Sequence, residues 1–383
     1  MKNEIFVKYS SCSAESELKK IGFDLTYLDS AELKYKNKQF KIFNLKSPEA
    51  NILKQLCLSL GFDCAVSKGV INCQIDYTDA LLTPTEAQLN NLISKLKLQP
   101  YRLKTLAEEF EKVLKGNKEP LNIRGHIFDW TRPYIVGILN VTPDSFSDGG
   151  EFVTVDTALN KAKELIKDGA DIIDIGGEST RPGFEEVSED VECQRVLPVI
   201  GKLRELYPEI IISIDTRKPE VAKKSLMAGA DIINNIDLIS DEMISVAKEY
   251  SCSVVVCCNK KFDSGDIVEN VYEYFNDLIL DLINKGIERK NIILDPGVGF
   301  NKTLEDNFEL VKRAGEFNSL NQPMFWGISR KSFIQKTFGL EPKECDMASL
   351  VYSDYLIFQG ADFIRSHEVK NLKNSFEYLV KII

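Results

Sequence analysis

The chain has 383 residues, 44% hydrophobic and 28% charged, with 48 Lys and Arg against 58 Asp and Glu for a formal charge of -10. That is room for one large domain with something attached, in the composition of a soluble globular protein. The acidic balance argues against nucleic acid as a partner, no stretch approaches a membrane span, and the polar first ten residues do not make a signal peptide.

In chain order, residues 1 to about 125 mix strand-like pieces (Ile5–Tyr9, Gln39–Phe43, Val70–Ile75) with helical ones (Glu15–Ile21, Glu49–Leu60, Glu86–Leu96, Leu103–Leu114). They predict a small α+β domain over 1–120, closed by a linker at Gly116–Pro120, with no chemical motif of its own. From Pro133 onward short apolar runs alternate with amphipathic stretches. The runs at Tyr134–Val141, Ile172–Gly177, Ile210–Asp215, Ile232–Ile236, Val254–Cys258, Ile292–Asp295, Met324–Ile328 and Phe363–His367 are eight candidate strands. Helical periods such as Thr157–Ile166, Glu220–Leu226, Val268–Ile283 and Phe308–Phe317 lie between them, so a parallel (β/α)8 TIM barrel is expected over 126–383. The repeats Gly169-Ala170-Asp171, Gly229-Ala230-Asp231 and Gly360-Ala361-Asp362 sit where a helix should end and a strand begin.

The nine cysteines form no CxxC pair, which fits a reducing cytoplasm, and the only histidines are His126 and His367. A His-rich zinc site is therefore not available, and any catalytic metal should be a hard ion on oxygen ligands, pointing to Mg2+ shared with substrate phosphates. In a TIM barrel the site forms at the C-terminal ends of the strands. Polar residues gather there: Asn140, Glu178 to Arg181, Asp215, Asn234 and Asn235, Asp295, Ser329 to Ser332, Arg365 and His367. Each alone reads as well as a helix cap, but six polar strand ends at one rim read as a binding ring.

Here a resemblance becomes specific. Asn140-Val141-Thr142-Pro143-Asp144-Ser145-Phe146-Ser147-Asp148-Gly149-Gly150 and Gly177-Glu178-Ser179-Thr180-Arg181-Pro182-Gly183 resemble the two signatures of the dihydropteroate synthases. Asp215 to Ala222, Ile233-Asn234, Asp295 to Phe300, Gly327 to Ser332 and Arg365-Ser366-His367 are similar to the family's remaining blocks, in family order, so the resemblance covers 134–383. It implies condensation of 6-hydroxymethyl-7,8-dihydropterin pyrophosphate with p-aminobenzoate, giving 7,8-dihydropteroate and pyrophosphate in folate synthesis, with homodimers the common assembly.

A pterin edge of amino and N–H donors wants carboxylates and amides in one plane, which Asp215, Asn234 and Asp295 can supply. The resemblance adds Lys331 to that pocket and counts Asp215, Lys331, Arg365 and His367 as catalytic. It assigns Asn140 to the magnesium, and Asn140, Thr180, Arg181, Arg365 and His367 to the pyrophosphate. Phe146, Thr180, Arg181, Pro182, Phe300 and Ser332 would line the p-aminobenzoate pocket. Two departures fall beside the expected pterin pocket: Asn235 where the family usually has Asp, and Cys257-Cys258-Asn259 where a Met-His-Met type run is common. A methyltetrahydrofolate-dependent methyltransferase shares the pterin-reading positions but has no use for a pyrophosphate site. A non-catalytic pterin-binding paralogue is disfavoured by the presence of the loop residues and Lys331.

Overall fold

The structure, a computed structural model, describes residues 13–116, 118–142, 155–178 and 186–381. It divides into two compact units, Met1–Lys115 and Gly116–Ile383. No helix among the described residues is long and apolar enough to cross a membrane.

The first unit carries α1 (Ala14–Lys20), α2 (Leu28–Glu32), β1 (Phe40–Lys46), α3 (Ser47–Ser59), β2 (Cys64–Val66), β3 (Tyr77–Leu82), α4 (Glu86–Leu96) and α5 (Leu103–Lys115). Its antiparallel sheet has the order β1-β3-β2. The expected strand at Val70–Ile75 is instead a run of turns, with Val70 accepting from Cys73 N–H and Gly69 from Gln74 N–H. The strand that completes this sheet is β3, whose Thr78, Ala80 and Leu82 face inward. α4 begins with a capping box between Thr85 and Gln88, and buries Leu89, Leu92, Ile93 and Leu96 at the 3-to-4 spacing of an amphipathic helix.

The second unit opens with a hairpin of β4 (Leu121–Ile123) and β5 (His126–Phe128), antiparallel around the Arg124-Gly125 turn. Eight parallel strands follow: β6 (Tyr134–Asn140), β7 (Ile172–Gly176), β8 (Ile211–Asp215), β9 (Ile232–Asn235), β10 (Ser253–Cys257), β11 (Ile292–Asp295), β12 (Phe325–Gly327) and β13 (Phe363–Ser366). The order β11-β10-β9-β8-β7-β6-β13-β12 is circular, because Leu294 N–H donates to Pro323 C=O at 2.9 Å and Leu294 bridges Met324. The outer helices are α6 (Val155–Lys167), α7 (Glu189–Leu206), α8 (Pro219–Ala228), α9 (Asp241–Tyr250), α10 (Ile267–Asn284), α11 (Leu304–Lys312), α12 (Ser332–Phe338), α13 (Asp346–Phe358) and α14 (Val369–Leu379). The predicted helix at Phe308–Phe317 ends early: α11 stops at Lys312 and a 3-10 turn over Ala314–Leu320 carries the chain to β12. Eight strands with helices outside make a TIM barrel, preceded by a small α+β unit.

The Gly-Ala-Asp repeat sews the lower rim. Gly169, Gly229 and Gly360 take φ of 103°, 118° and 90°, a left-handed turn that favours glycine and ends the helix. Two residues on, Asp171, Asp231 and Asp362 accept the backbone N–H of Ile135, Ile212 and Met324 at 2.8, 2.9 and 2.7 Å, tying each strand start to its neighbour. Each carboxylate is neutralised, by Arg132, by Arg204 with Arg124, and by Lys118 respectively.

Side chains alternate across a strand, so one inward residue fixes the phase of the rest. Val136, Ile172, Ile211, Ile232, Val255, Ile293, Phe325 and Phe363 form one apolar cluster inside the lower barrel. Phe128 and Trp130 pack edge-on or tilted against Tyr134 and Phe363 beneath it, so the hairpin and the residues after it plug this end. A void of only about 10 Å³ remains among the lower lumen residues.

Candidate active site

Two or four residues beyond six of the eight members of the apolar ring, the same inward phase delivers a different chemistry, while Val136 leads to Ile138 and Phe325 to Gly327. Ile172 is followed by Asp174, Ile211 by Ser213 and then Asp215, Ile232 by Asn234, Val255 by Cys257, Ile293 by Asp295, Phe363 by Arg365 and then His367. The upper lumen is thus a floor of carboxylates, amide and guanidinium, reached from strand ends whose lower halves are pure Ile, Val and Phe.

Arg365 organises the floor. Its Nε donates to Asp174 Oδ2 and its Nη2 to Asp215 Oδ2, both at 2.6 Å, and Asn234 Nδ2 donates to Asp174 Oδ2 at 3.1 Å. Burial works against the guanidinium charge, but Asp174 and Asp215 outweigh it and raise the Arg365 pKa. For Asp215, burial dominates over Arg365, and with Asp174 adding like charge the carboxyl is pushed up to about 7. Burial likewise raises Asp295, against a hydrogen bond from Gly297 N–H at 2.8 Å and the attraction of Lys331.

Lys331 follows β12, the strand paired with β13, and places its Nζ 3.8 Å from the centre of the Phe300 ring. Burial lowers its pKa, opposed by Asp295 and Cys257. Gly299 makes room for it, and Gly297 lets the loop pass close against the cysteine wall. A Cβ on Gly299 would meet Lys331 Cδ at 3.0 Å, and one on Gly297 would strike the Cys258 carbonyl at 2.5 Å. Burial, then Asp295, holds the Cys257 thiol protonated, well above its ordinary range, so the two vicinal cysteines serve as wall. Lys302 Nζ fastens this wall by donating to Cys258 C=O at 2.6 Å and Phe300 C=O at 3.1 Å.

On the strand β13 side, Ser329 Oγ lies 3.0 Å from His367 Nδ1 and accepts from His367 N–H at 3.3 Å. Arg330, in the same block, turns away to Asp346 and Glu368, and Ser332 opens α12. Asn140 ends β6, half-buried at the rim. Asn235 has the other phase: its Nδ2 donates to Asp237 C=O at 2.5 Å and it braces the loop after β9, so this departure lies off the inward row that Asn234 occupies. Phe146, Thr180, Arg181 and Pro182 lie outside the described residues. Just before the second of these segments, Glu178 is held by Lys218, Arg217 and the Val187 N–H, and Lys218 also grips the buried Glu192 at 2.7 Å.

Of the expected site residues, the structure gathers Asp215, Asn234, Asp295, Lys331, Phe300, Arg365 and His367 around one lumen. Sequence reading missed Asp174, fully buried inside an Ile-rich strand. The available signal was its charge: an Asp flanked by Ile on both sides of a central strand has to be paired. Among the described residues no cluster of three or more His, Cys, Asp or Glu is arranged to hold a metal. Asn140 offers one neutral oxygen, a donor set that fits a cation only where substrate phosphates provide most ligands.

Residues 136–367 match the model of the pterin binding enzyme family. A dihydropteroate synthase of Streptococcus pyogenes is 42% identical over 241 residues, covering 62% of this chain and 90% of its own. The chain belongs to the dihydropteroate synthase family. A probable bifunctional folylpolyglutamate synthase/dihydropteroate synthase of Haloferax volcanii is 37% identical over 343 residues, 84% of this chain, and the chain spans 40% of that relative's length. The share of 84% exceeds the barrel unit, so this match takes in part of the N-terminal unit as well. Among solved structures, the dihydropteroate synthase of Xanthomonas albilineans in complex with 7,8-dihydropteroate superposes with a TM-score of 0.63 at 31% identity, covering 69% of this chain and 98% of that one.

Proposed function

We propose that the barrel is a dihydropteroate synthase, joining 6-hydroxymethyl-7,8-dihydropterin pyrophosphate to p-aminobenzoate with release of pyrophosphate. The observation that carries this reading is the juxtaposition in one lumen of an acceptor plane, Asp215, Asn234 and Asp295, with Arg365 pairing into it and His367 two residues further up the same strand. The acceptor plane suits the donor edge of a pterin. Arg365 and His367 suit the departing pyrophosphate, and Lys331 donates to ring acceptors beside the reaction centre.

In this mechanism the C–O bond from the pterin methylene to pyrophosphate breaks first, and the ring spreads the positive charge. The neutral arylamine nitrogen then attacks the methylene, forming the C–N bond, and the resulting ammonium loses one proton to water or to the released pyrophosphate. No strong base is required, because an arylamine is nucleophilic without help; the protein contributes placement and leaving-group stabilisation. Asn140 would hold a magnesium ion jointly with the substrate phosphates, and the ion would supply countercharge to the leaving group. Thr180 and Arg181 would add to the pyrophosphate site, and Phe146, Pro182 and Ser332 to the p-aminobenzoate wall. We propose a cytoplasmic enzyme, a reading supported by the free thiols of the described cysteines and checked by cell fractionation.

The deciding experiment follows pyrophosphate release from the pterin pyrophosphate, with and without p-aminobenzoate, in wild type and Arg365→Ala. Coupled dihydropteroate formation is expected in wild type, with kcat/KM about a thousandfold lower in the variant, as for loss of one strong transition-state donor. Pterin binding without turnover in wild type would sink the reading. We further propose a homodimer paired through α13 and α14, supported by the exposure of Val351, Tyr355, Phe358 and Tyr378 on these last helices and of Val380 just after them. Light scattering should give twice the 43.3 kDa chain mass, and a charge at Phe358 should return it to the monomer.

A further inference from the structure

The mechanism above makes no use of Asp174, yet this is the residue on which the floor of the lumen turns. It is fully buried, two strands away from each of the neighbours it serves, with β8 between it and Asn234 and β6 between it and Arg365. A single oxygen, Oδ2, accepts from Asn234 Nδ2 and from Arg365 Nε, while Oδ1 is buried with no hydrogen-bond partner among the described residues. An orphaned carboxylate oxygen is expensive, and an apolar residue matching Ile173 and Ile175 would suit strand stability better. The two contacts say what the charge is for.

An ionised carboxylate only accepts, so the Asn234 amide must turn its NH2 to Asp174. Its Oδ1 is thereby committed to the other side, as an acceptor for a donor on the ligand. The same Oδ2 holds Arg365 by Nε and, with Asp215 on Nη2, leaves Nη1 without a partner among the described residues. We propose that Asp174 is a positioning residue that couples the two halves of substrate recognition: its Oδ2 sets the facing of the Asn234 amide toward the pterin and the direction of the Arg365 guanidinium toward the pyrophosphate. The inference rests on the synthase reading for the identity of the two ligands.

The test uses the full chain and the near-isosteric Asp174→Asn, titrated calorimetrically with 6-hydroxymethylpterin and, separately, with inorganic pyrophosphate. Both affinities should fall by roughly ten- to a hundredfold, the range for hydrogen bonds to a charged group. The KM for p-aminobenzoate at saturating pterin pyrophosphate should stay within about twofold, and the melting temperature should fall by no more than a few degrees, because Arg365 keeps its pairing with Asp215 when the Asp174 charge is removed. The acid limb of the kcat/KM profile should also move down. Asp215, faced by Arg365, Lys331, Glu192 and Asp174, would lose its near like charge. Unchanged binding of either ligand overturns the proposal. So does a loss of both accompanied by a fall in melting temperature of about ten degrees, which would mark a structural role. If Asp174→Asn does not fold, Asp174→Ser, which keeps one acceptor oxygen, is read in the same way; failure of both to fold would also make Asp174 structural. Dihydropteroate formation by wild type is measured alongside. Its absence defeats the synthase reading, while the two titrations still decide on Asp174.

Discussion

The two ends of one barrel lumen, built by the same strands, obey opposite rules. At the lower end Phe325, Phe363 and six aliphatic residues meet over an aromatic plug and leave almost no void. At the upper end Asp174, Asp215, Asp295, Lys331 and Arg365 share a space in which burial moves the pKa values of Asp215, Asp295 and Lys331 against their charged forms. The difference teaches that stability and chemistry are separated along the strand axis by about two residues, roughly 6.6 Å of strand. The lower end can be close-packed because nothing has to bind there; the upper end stores unfavourable electrostatics because something does.

The comparison breaks most readily at β13. Phe363→Ala should cost about 3–5 kcal/mol by cavity formation, seen as a lower urea midpoint, while substrate KM at a temperature where the variant is folded stays near wild type. If KM rises as steeply as stability falls, the two ends are not separate.

A smaller effect sharpens the upper end. Asp215 has its folded pKa raised to about 7 from the ordinary 3.8, so the native state binds the extra proton. Its contribution is therefore fully present below pH about 4 and lost as pH rises through about 7, a change of about 2–4 kcal/mol at most. Urea midpoints of wild type and Asp215→Asn between pH 4 and 8 should draw apart with that sign, the variant gaining on wild type as pH rises. Parallel curves would refute the assignment of the raised pKa to Asp215.

Most of the barrel was legible because its strands are nearly continuous Ile and Val runs, the mark of strands buried on both faces. The Gly-Ala-Asp repeat was legible as punctuation, but its carboxylates' role in binding neighbouring strand N–H groups is a contact between strands, invisible along one. The β4–β5 hairpin was missed because three-residue strands carry too little periodicity, and β3 because Thr78, Ala80 and Leu82 make a weak apolar face around two aspartates, Asp76 and Asp79. The rim residues Asp215, Asn234, Asp295 and Arg365 were legible since they interrupt or end apolar runs. Asp174 was not, because the reading looked at strand ends and it lies two residues before its own, with Ile175 and Gly176 following.

The inward alternation also decides which changes this scaffold can survive. Any single position of the upper row can be exchanged without disturbing the row beneath it, since both sit on a backbone that neither alters. Inserting or deleting one residue between the rows, as between Phe363 and Arg365, would turn the guanidinium outward into the helix layer and bring Ile364 or Ser366 into the lumen. New specificities are thus reachable by substitution and closed to length change within the strands, leaving the loops above them as the place where this lineage can add or lose residues.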